Sequence, residues 1–253
     1  IVSRTRERTG DVFFAGVLAV LVAYGAWEAL GYVRATTGLG EFGYAFALGA
    51  ATFARVIVLV AFATVVWVPI GVWIGMNPKV TRFAQPIVQV LASFPANFIF
   101  PFATLVFVAW HIPLNFGAIL LMALGAQWYI LFNVIAGASA IPSDLREAMT
   151  NLRVRGWLRW KNFILPAVFA SYVTGGITAA GGAWNASIVA EIVSYGPHHL
   201  TATGLGAYIA EATATGNFPK ILVGIAVMSV YVVLTNRLFW RRLYALAERR
   251  YSL

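Results

Sequence analysis

Apolar runs alternate with short polar breaks along almost the whole chain. The runs cover residues 12–33, 51–76, 84–110, 116–138, 163–183 and 218–240. Each is long enough for a helix to cross a bilayer core, which takes roughly 20 residues. The first run carries only Glu28, and the second is entered past Arg55. The third is interrupted by Ser93, Pro95, Asn97 and Pro101, so a helix break is expected inside it. Asn77-Pro78-Lys79 and His111-Ile112-Pro113 supply turn chemistry between neighbouring runs. Residues 34–50 read as an outer loop or a short surface helix, and 184–216 as a mixed, glycine-rich segment. The pattern predicts an all-α membrane protein with six transmembrane helices.

The longest polar interruption is 143–166, with Asp144, Arg146, Glu147, Arg153, Arg155, Arg159 and Lys161. Pro142 blocks continuation of the fourth helix, and Ser143 or Asp144 is placed to cap a new one. Leu145, Ala148, Met149 and Leu152 then recur at i, i+3, i+4 and i+7, one apolar face about two turns long. The pattern breaks around 153–156, and Pro166 suits the first turn of the next span. A short amphipathic helix held between two spans can act as a lever whose ridge fills a groove on a partner. On pattern alone, a helix lying on the lipid surface with Trp157 and Trp160 in the interface fits equally well.

Composition narrows the class. Sixty per cent apolar residues, 11% charged residues and a mean hydropathy of +0.79 lie outside the soluble globular range. The net charge of +9 does not point to nucleic acid, because the basic residues sit between and beside the spans. Six spans put both termini on one side, together with the 143–161 loop. All lysines and arginines except Arg34, Arg55 and Lys220 fall on that side. The positive-inside bias therefore predicts cytoplasmic termini and a cytoplasmic loop. Zero cysteines exclude disulfides, thiolate metal sites and cysteine nucleophiles. The first apolar run is too long for a cleaved leader and lacks a small-residue cleavage site. The start at Ile1 rather than Met keeps a longer or fused polypeptide open.

Glu147-Ala148-Met149, Leu152 and Leu165-Pro166 resemble the E-A-A loop of binding-protein-dependent ABC importer permeases. In that family the loop reads E-A-A, three residues, Gly, nine residues, I-x-L-P, which sets Pro166 on the family's proline. Arg153 stands at the family's glycine, Met149 at its second alanine and Phe163 at its isoleucine, and Gly156 is expected to supply the bend instead. Ser93-Phe94-Pro95-Ala96 and Pro101 are similar to the broken third span of the nitrate/sulfonate/taurine/bicarbonate branch. Ala183-Trp184-Asn185 to Glu191 and Gly204-Leu205-Gly206 resemble the segment after its fifth span.

The resemblance implies the transmembrane domain of a type I ABC importer, with residues 1–50 as an N-terminal segment, first helix and outer loop, and 51–253 as the core permease domain. It implies an ATPase-coupling loop carrying Asp144, Leu145, Glu147, Ala148, Met149, Leu152, Arg153 and Gly156. Partners would be an ABC ATPase dimer, a second permease half and an extracytoplasmic substrate-binding protein. The second half would be a copy of this chain, or else a fused or heterologous half. No cofactor is expected in this chain, ATP and Mg being held by the partner subunits, and no enzymatic activity of its own. The cytoplasmic (inner) membrane of a prokaryote and a small anion or organic anion as substrate follow from the branch.

Ser93, Asn97, Asn185, Ser187 and Glu191 are the candidates for a translocation path, because irregular backbone and polar groups at membrane depth tend to line cavities. Glu147 equally opposes the macrodipole at its helix N-terminus. His198-His199 near Glu191 lack a third ligand at a convincing spacing, so no metal is expected. Gly175-Gly176 and Gly181-Gly182 are helix-packing candidates. Two other functions stay open at this point. A motor-independent transporter or channel requires coupling ionisable residues near the midplane, and a membrane-embedded enzyme requires clustered acids, histidines or metal ligands at one depth.

Overall fold

The computed structural model describes residues 2–36, 38 and 40–251, with side chains described for 11–36, 38 and 40–249. The side chains of Arg4, Arg6, Arg8 and Arg250, part of the charge bias, lie outside that set. The chain runs through α1 (Val2–Thr36), α2 (Gly40–Gly75), α3 (Pro78–Ser93), a 3-10 turn (Ala96–Ile99), α4 (Phe100–Ala109) and α5 (Leu114–Ser139). There follow α6 (Ser143–Asn151), α7 (Gly156–Arg159), a π turn (Trp160–Ile164) and α8 (Leu165–Ala190). The hairpin β1 (Ile192–Tyr195) and β2 (His198–Thr201) leads to α9 (Leu205–Ala214) and α10 (Phe218–Thr235). A second π turn (Asn236–Trp240) passes into α11 (Arg241–Tyr251).

Five helical stretches among the described residues are long and apolar enough to cross a membrane: Asp11–Thr36, Gly40–Gly75, Leu114–Ser139, Gly156–Ala190 and Phe218–Arg249. A sixth is reached if Pro78–Ser93 and Ala96–Ala109, bent by 72° at their junction, count as one span. Phe94 and Pro95 are extended at that junction, where the sequence places its helix break. Of the two readings of 34–50, an outer loop or a short surface helix, the structure has helix from Gly40 on, continuous with the second span rather than separate from it. Gly40 to Ala50 forms the first three turns of α2, so a division at residue 50 falls inside a continuous helix. Ala45 and Gly49 are already buried there, with the Tyr231 ring against Gly49.

At the centre lie α5 and α8, flanked by α2. Lipid tails are as apolar as leucine, so membrane helices associate through close packing of small residues rather than through hydrophobic sorting. Gly75 packs on α5 so closely that an added Cβ would sit 2.5 Å from the Ile135 carbonyl oxygen. At Gly175 it would sit 2.8 Å from that of Tyr129. Phe53, Trp184 and Tyr231 tie α2, α8 and α10 together, with ring centroids 5.6–6.4 Å apart. A second cluster, with Val134, Ala138, Ile141, Phe163 and Val168, lies beneath α6. By contrast α1 buries almost nothing and reaches the rest of the chain mainly at α10.

Candidate functional site

Two polar assemblies stand out in this apolar chain, one at each end of the α5–α8 pair. The first is α6 and its turn. Its N-terminus is capped differently from the sequence expectation. Pro142 takes the N-cap position, its carbonyl accepts from the Arg146 amide at 3.3 Å, and the Ser143 hydroxyl donates to Asp144 instead of accepting from a backbone amide. Arg146 turns under the helix. Its Nη2 donates to the Ala138 and Ser139 carbonyls at 3.0 and 3.2 Å, and its Nη1 to that of Met76 at 3.3 Å. A cation is favoured where a helix end exposes carbonyls, so one guanidinium fastens α6 to the C-terminal ends of both α2 and α5. Met149 packs inward against the cluster below. Asp144, Glu147, Ala148 and Leu152 are exposed and Leu145 is at the margin, so the single predicted apolar face divides into an inner anchor and an outer ridge.

The α6 C-terminus explains Arg153. The Val154 amide donates to the Met149 carbonyl at 3.1 Å and the Arg153 amide to that of Thr150 at 3.0 Å. That pair of bonds is a Schellman motif, whose C′ residue must be left-handed and is usually glycine. Arg153 is that residue, with φ +52°, and Gly156 is left-handed as well, with φ +61°. The bend expected at Gly156 alone is shared between the two positions, and Arg153 carries the backbone strain that the family's glycine would avoid. Pro166 lies in the first turn of α8.

The second assembly is a buried ionic network at the other end. Arg55 Nη1 and Glu191 Oε1 are 2.7 Å apart, with Glu191 wholly buried and Arg55 6% exposed. The same oxygen accepts from the Thr52 hydroxyl at 2.8 Å. Glu191 Oε2 accepts from the Gly206 and Ala207 amides at 2.8 and 3.2 Å, so the carboxylate caps the α9 N-terminus. Arg55 also donates to the Asn115 backbone and side-chain oxygens and to the Thr203 carbonyl. Thr52 also accepts from the Leu205 amide. Gly204 and Gly206 are needed here because a Cβ on either would collide with the Glu191 carboxylate or the Ser187 carbonyl. Five segments are therefore pinned on one ion pair: α2, the start of α5, the end of α8, the loop that follows β2, and α9. Beside it, the Tyr208 hydroxyl donates to Glu41, and burial together with that carboxylate pushes its pKa upward.

The predicted path residues separate accordingly. Ser187 and Glu191 face inward, the Ser187 hydroxyl donating to the Trp184 carbonyl, so neither offers a polar atom to an open surface. Asn185 is exposed on the opposite side of α8, in line with exposed Thr174 and Thr178. Tyr129 and Asn133 of α5 flank this face where they meet Gly175 and Gly182. Ser93 and Asn97 are exposed at the break between α3 and α4. His199 bonds to Ser194 across the hairpin, and the described residues hold no cluster of three metal-ligating side chains. Sequence reasoning missed Arg55, Thr52, Asn115 and Arg146. The signal was available for Arg55, since an ionisable residue inside an apolar run needs a partner, and Glu191 is the buried acid that supplies it.

Known proteins resemble this chain in sequence and in fold. The nitrate import permease protein NrtB of Leptolyngbya laminosa is 26% identical over 197 residues, covering 75% of this chain and 64% of the relative. The putative aliphatic sulfonates transport permease protein SsuC of Bacillus subtilis is 27% identical over 177 residues, covering 69% and 60%. The chain thus spans under two thirds of the length of these relatives. A solved structure of the MetNI methionine ABC transporter in an inward-facing conformation superposes with a TM-score of 0.60 at 22% identity, over 78% of this chain and 93% of that one. A family model described as binding-protein-dependent transport system inner membrane component matches residues 67–252. The chain belongs to that family of ABC transporter permeases, and its fold is that of a type I ABC importer transmembrane domain.

Proposed function

We propose that this chain is the membrane-spanning permease subunit of an ATP-driven importer for a small anion or organic anion. The observation that carries the reading is α6. It is fastened by Arg146 to the ends of α2 and α5, while Ala148 and the 71%-exposed Leu152 project outward beside Glu147. A helix rigidly joined to two spans and open on its outer ridge transmits a push on that ridge to both spans. The partner doing the pushing is an ATPase subunit, which holds ATP and Mg; Asp144, Leu145, Glu147, Ala148 and Leu152 make the contact. Met149, Arg153 and Gly156 set the pose of the ridge.

Two permease halves, copies of this chain or one of them fused or heterologous, form the path. The exposed hydroxyl and amide groups of Thr174, Thr178 and Asn185 line it, with Tyr129 and Asn133 at its side and Ser93 and Asn97 at the α3–α4 break. An extracytoplasmic binding protein delivers the substrate. The anion class is taken from the nitrate and sulfonate relatives. Co-purification tests the docking step: the chain is expressed with the ATPase encoded beside it, with and without Glu147→Arg plus Leu152→Asp. Wild type is expected to retain the ATPase and the double variant to lose it while still inserting in the membrane. Equal retention by both would return α6 to a surface anchor.

A further inference from the structure

We infer that Asn236, Arg237, Arg241 and Tyr244 form an oxyanion-binding site at the cytoplasmic end of the last span. The inference rests on the proposed membrane orientation, and not on the docking of a motor. The four side chains line one recess of about 400 Å³, completed by Val233 and by Ile177 of α8. Their spacing places them along one side of the helix that continues from α10 into α11. The π turn Asn236–Trp240 lies in the middle of that wall. Such turns insert a residue into an α-helix and recur at functional sites. Trp240 points away from the recess and is buried against Gly176, so the wall is fastened to α8 while its arginines stay exposed.

What marks the recess is a pair of arginines with no acid set against them among the described residues. Among the described residues, none of these four side chains has a hydrogen-bond or ion-pair partner. The nearest acid along the helix, Glu248, is not within 4.0 Å of either arginine. Each guanidinium offers five N–H donors in a fixed fork that matches a planar or tetrahedral oxyanion. Asn236 and Tyr244 add neutral donors, and Ile177 and Val233 give the recess an apolar flank. On α8, Thr174, Gly181 and Asn185 share the exposed side with Ile177, so the recess adjoins the hydroxyl- and amide-bearing face. Basic pockets on the cytoplasmic side of membrane helices also receive anionic lipid headgroups. The shared chemistry is an oxyanion, either free or at the head of a phospholipid.

The test uses the full chain in nanodiscs of neutral phosphatidylcholine. Sodium nitrate and sodium sulfate are titrated calorimetrically, and retention of added phosphatidylglycerol is counted by native mass spectrometry. Arg237→Gln/Arg241→Gln is expected to weaken one of these probes at least tenfold, and Arg237→Lys/Arg241→Lys to restore part of it. Lys79→Gln/Arg82→Gln removes the same charge from the same side and is expected to change nothing. Loss confined to nitrate or sulfate identifies a free anion as the occupant, and loss confined to phosphatidylglycerol identifies a lipid. If the glutamine pair does not insert, Asn236→Leu/Tyr244→Phe is expected to weaken the same probe several-fold. No binding by wild type, or equal loss in the Lys79/Arg82 control, overturns the inference. Neither result bears on ATPase co-purification, so the two proposals fail separately.

Discussion

The Arg55–Glu191 pair is the most consequential side-chain contact in the protein, and its value depends on being complete. Desolvating two charges costs several kcal/mol per ion, which a buried pair recovers only when the remaining donors and acceptors are satisfied. Here Thr52, Asn115, Thr203 and two α9 amides satisfy them. Removing one partner is expected to cost about 3–5 kcal/mol, and replacing both by apolar residues removes the unpaired charge but leaves the Thr203 carbonyl and the Gly206 and Ala207 amides without their partners. Glu191→Ala should therefore lower the unfolding midpoint in detergent by many degrees, and Arg55→Met/Glu191→Met should recover only part of it, because the α9 amides and the Thr203 carbonyl stay unpaired. A Glu191→Ala midpoint equal to wild type would show that the network contributes nothing to stability. Arg153 gives an opposite case. Its left-handed φ strains a non-glycine residue by about 1–2 kcal/mol. Arg153→Gly should relieve that strain, and unfolding measurements should show an unchanged or raised midpoint unless the Arg153 side chain binds a partner.

At the level of elements, α6 matters through what lies beneath it. The i, i+3, i+4, i+7 pattern was readable, and the helix forms where the pattern begins. What the pattern did not contain is that Arg146, one of several similar arginines in the loop, lies under the helix and bonds to three carbonyls, that of Met76 just past α2 and those of Ala138 and Ser139 in α5. Arg146→Ala should leave membrane insertion intact but loosen α6. We expect ATPase retention to fall several-fold, with faster amide exchange at 143–152. Unchanged exchange would mean that packing of Met149 alone holds the helix. The α5–α8 contact sets another limit. Gly175→Leu forces a large side chain against the Tyr129 carbonyl and Asn133. Overpacking of this kind costs about 1–3 kcal/mol or more, and a lowered yield of folded protein should follow.

At the scale of the whole molecule, the positive-inside bias predicts where the termini lie. A reporter that works only in the cytoplasm, fused after Leu253, should be active, and one that works only outside should be silent. The reverse result would place α6 on the outer side and remove it from any ATP-driven motor. Much of the architecture was legible: the apolar runs, the proline break at Phe94–Pro95, the amphipathic helix and the family. The reading of 34–50 as an outer loop or a short surface helix missed the continuity with α2, because Glu41, aromatics and glycines resemble loop composition. Gly49 is there to admit the Tyr231 ring, not to end a helix.

By itself the sequence determined the pattern of apolar runs, the charge asymmetry and the presence of a short amphipathic helix at 143–151, because those depend on local hydropathy, periodicity and net charge. Only the tertiary structure decided which polar residues are free to act. Glu191 and Asn185 lie less than two turns apart near the end of α8, yet one is sealed in a network and the other is open. Their fates were set by what packs against each side of the helix, and Arg55 lies more than 130 residues away from Glu191 in the chain. Long-range pairing of that kind leaves no trace in local spacing.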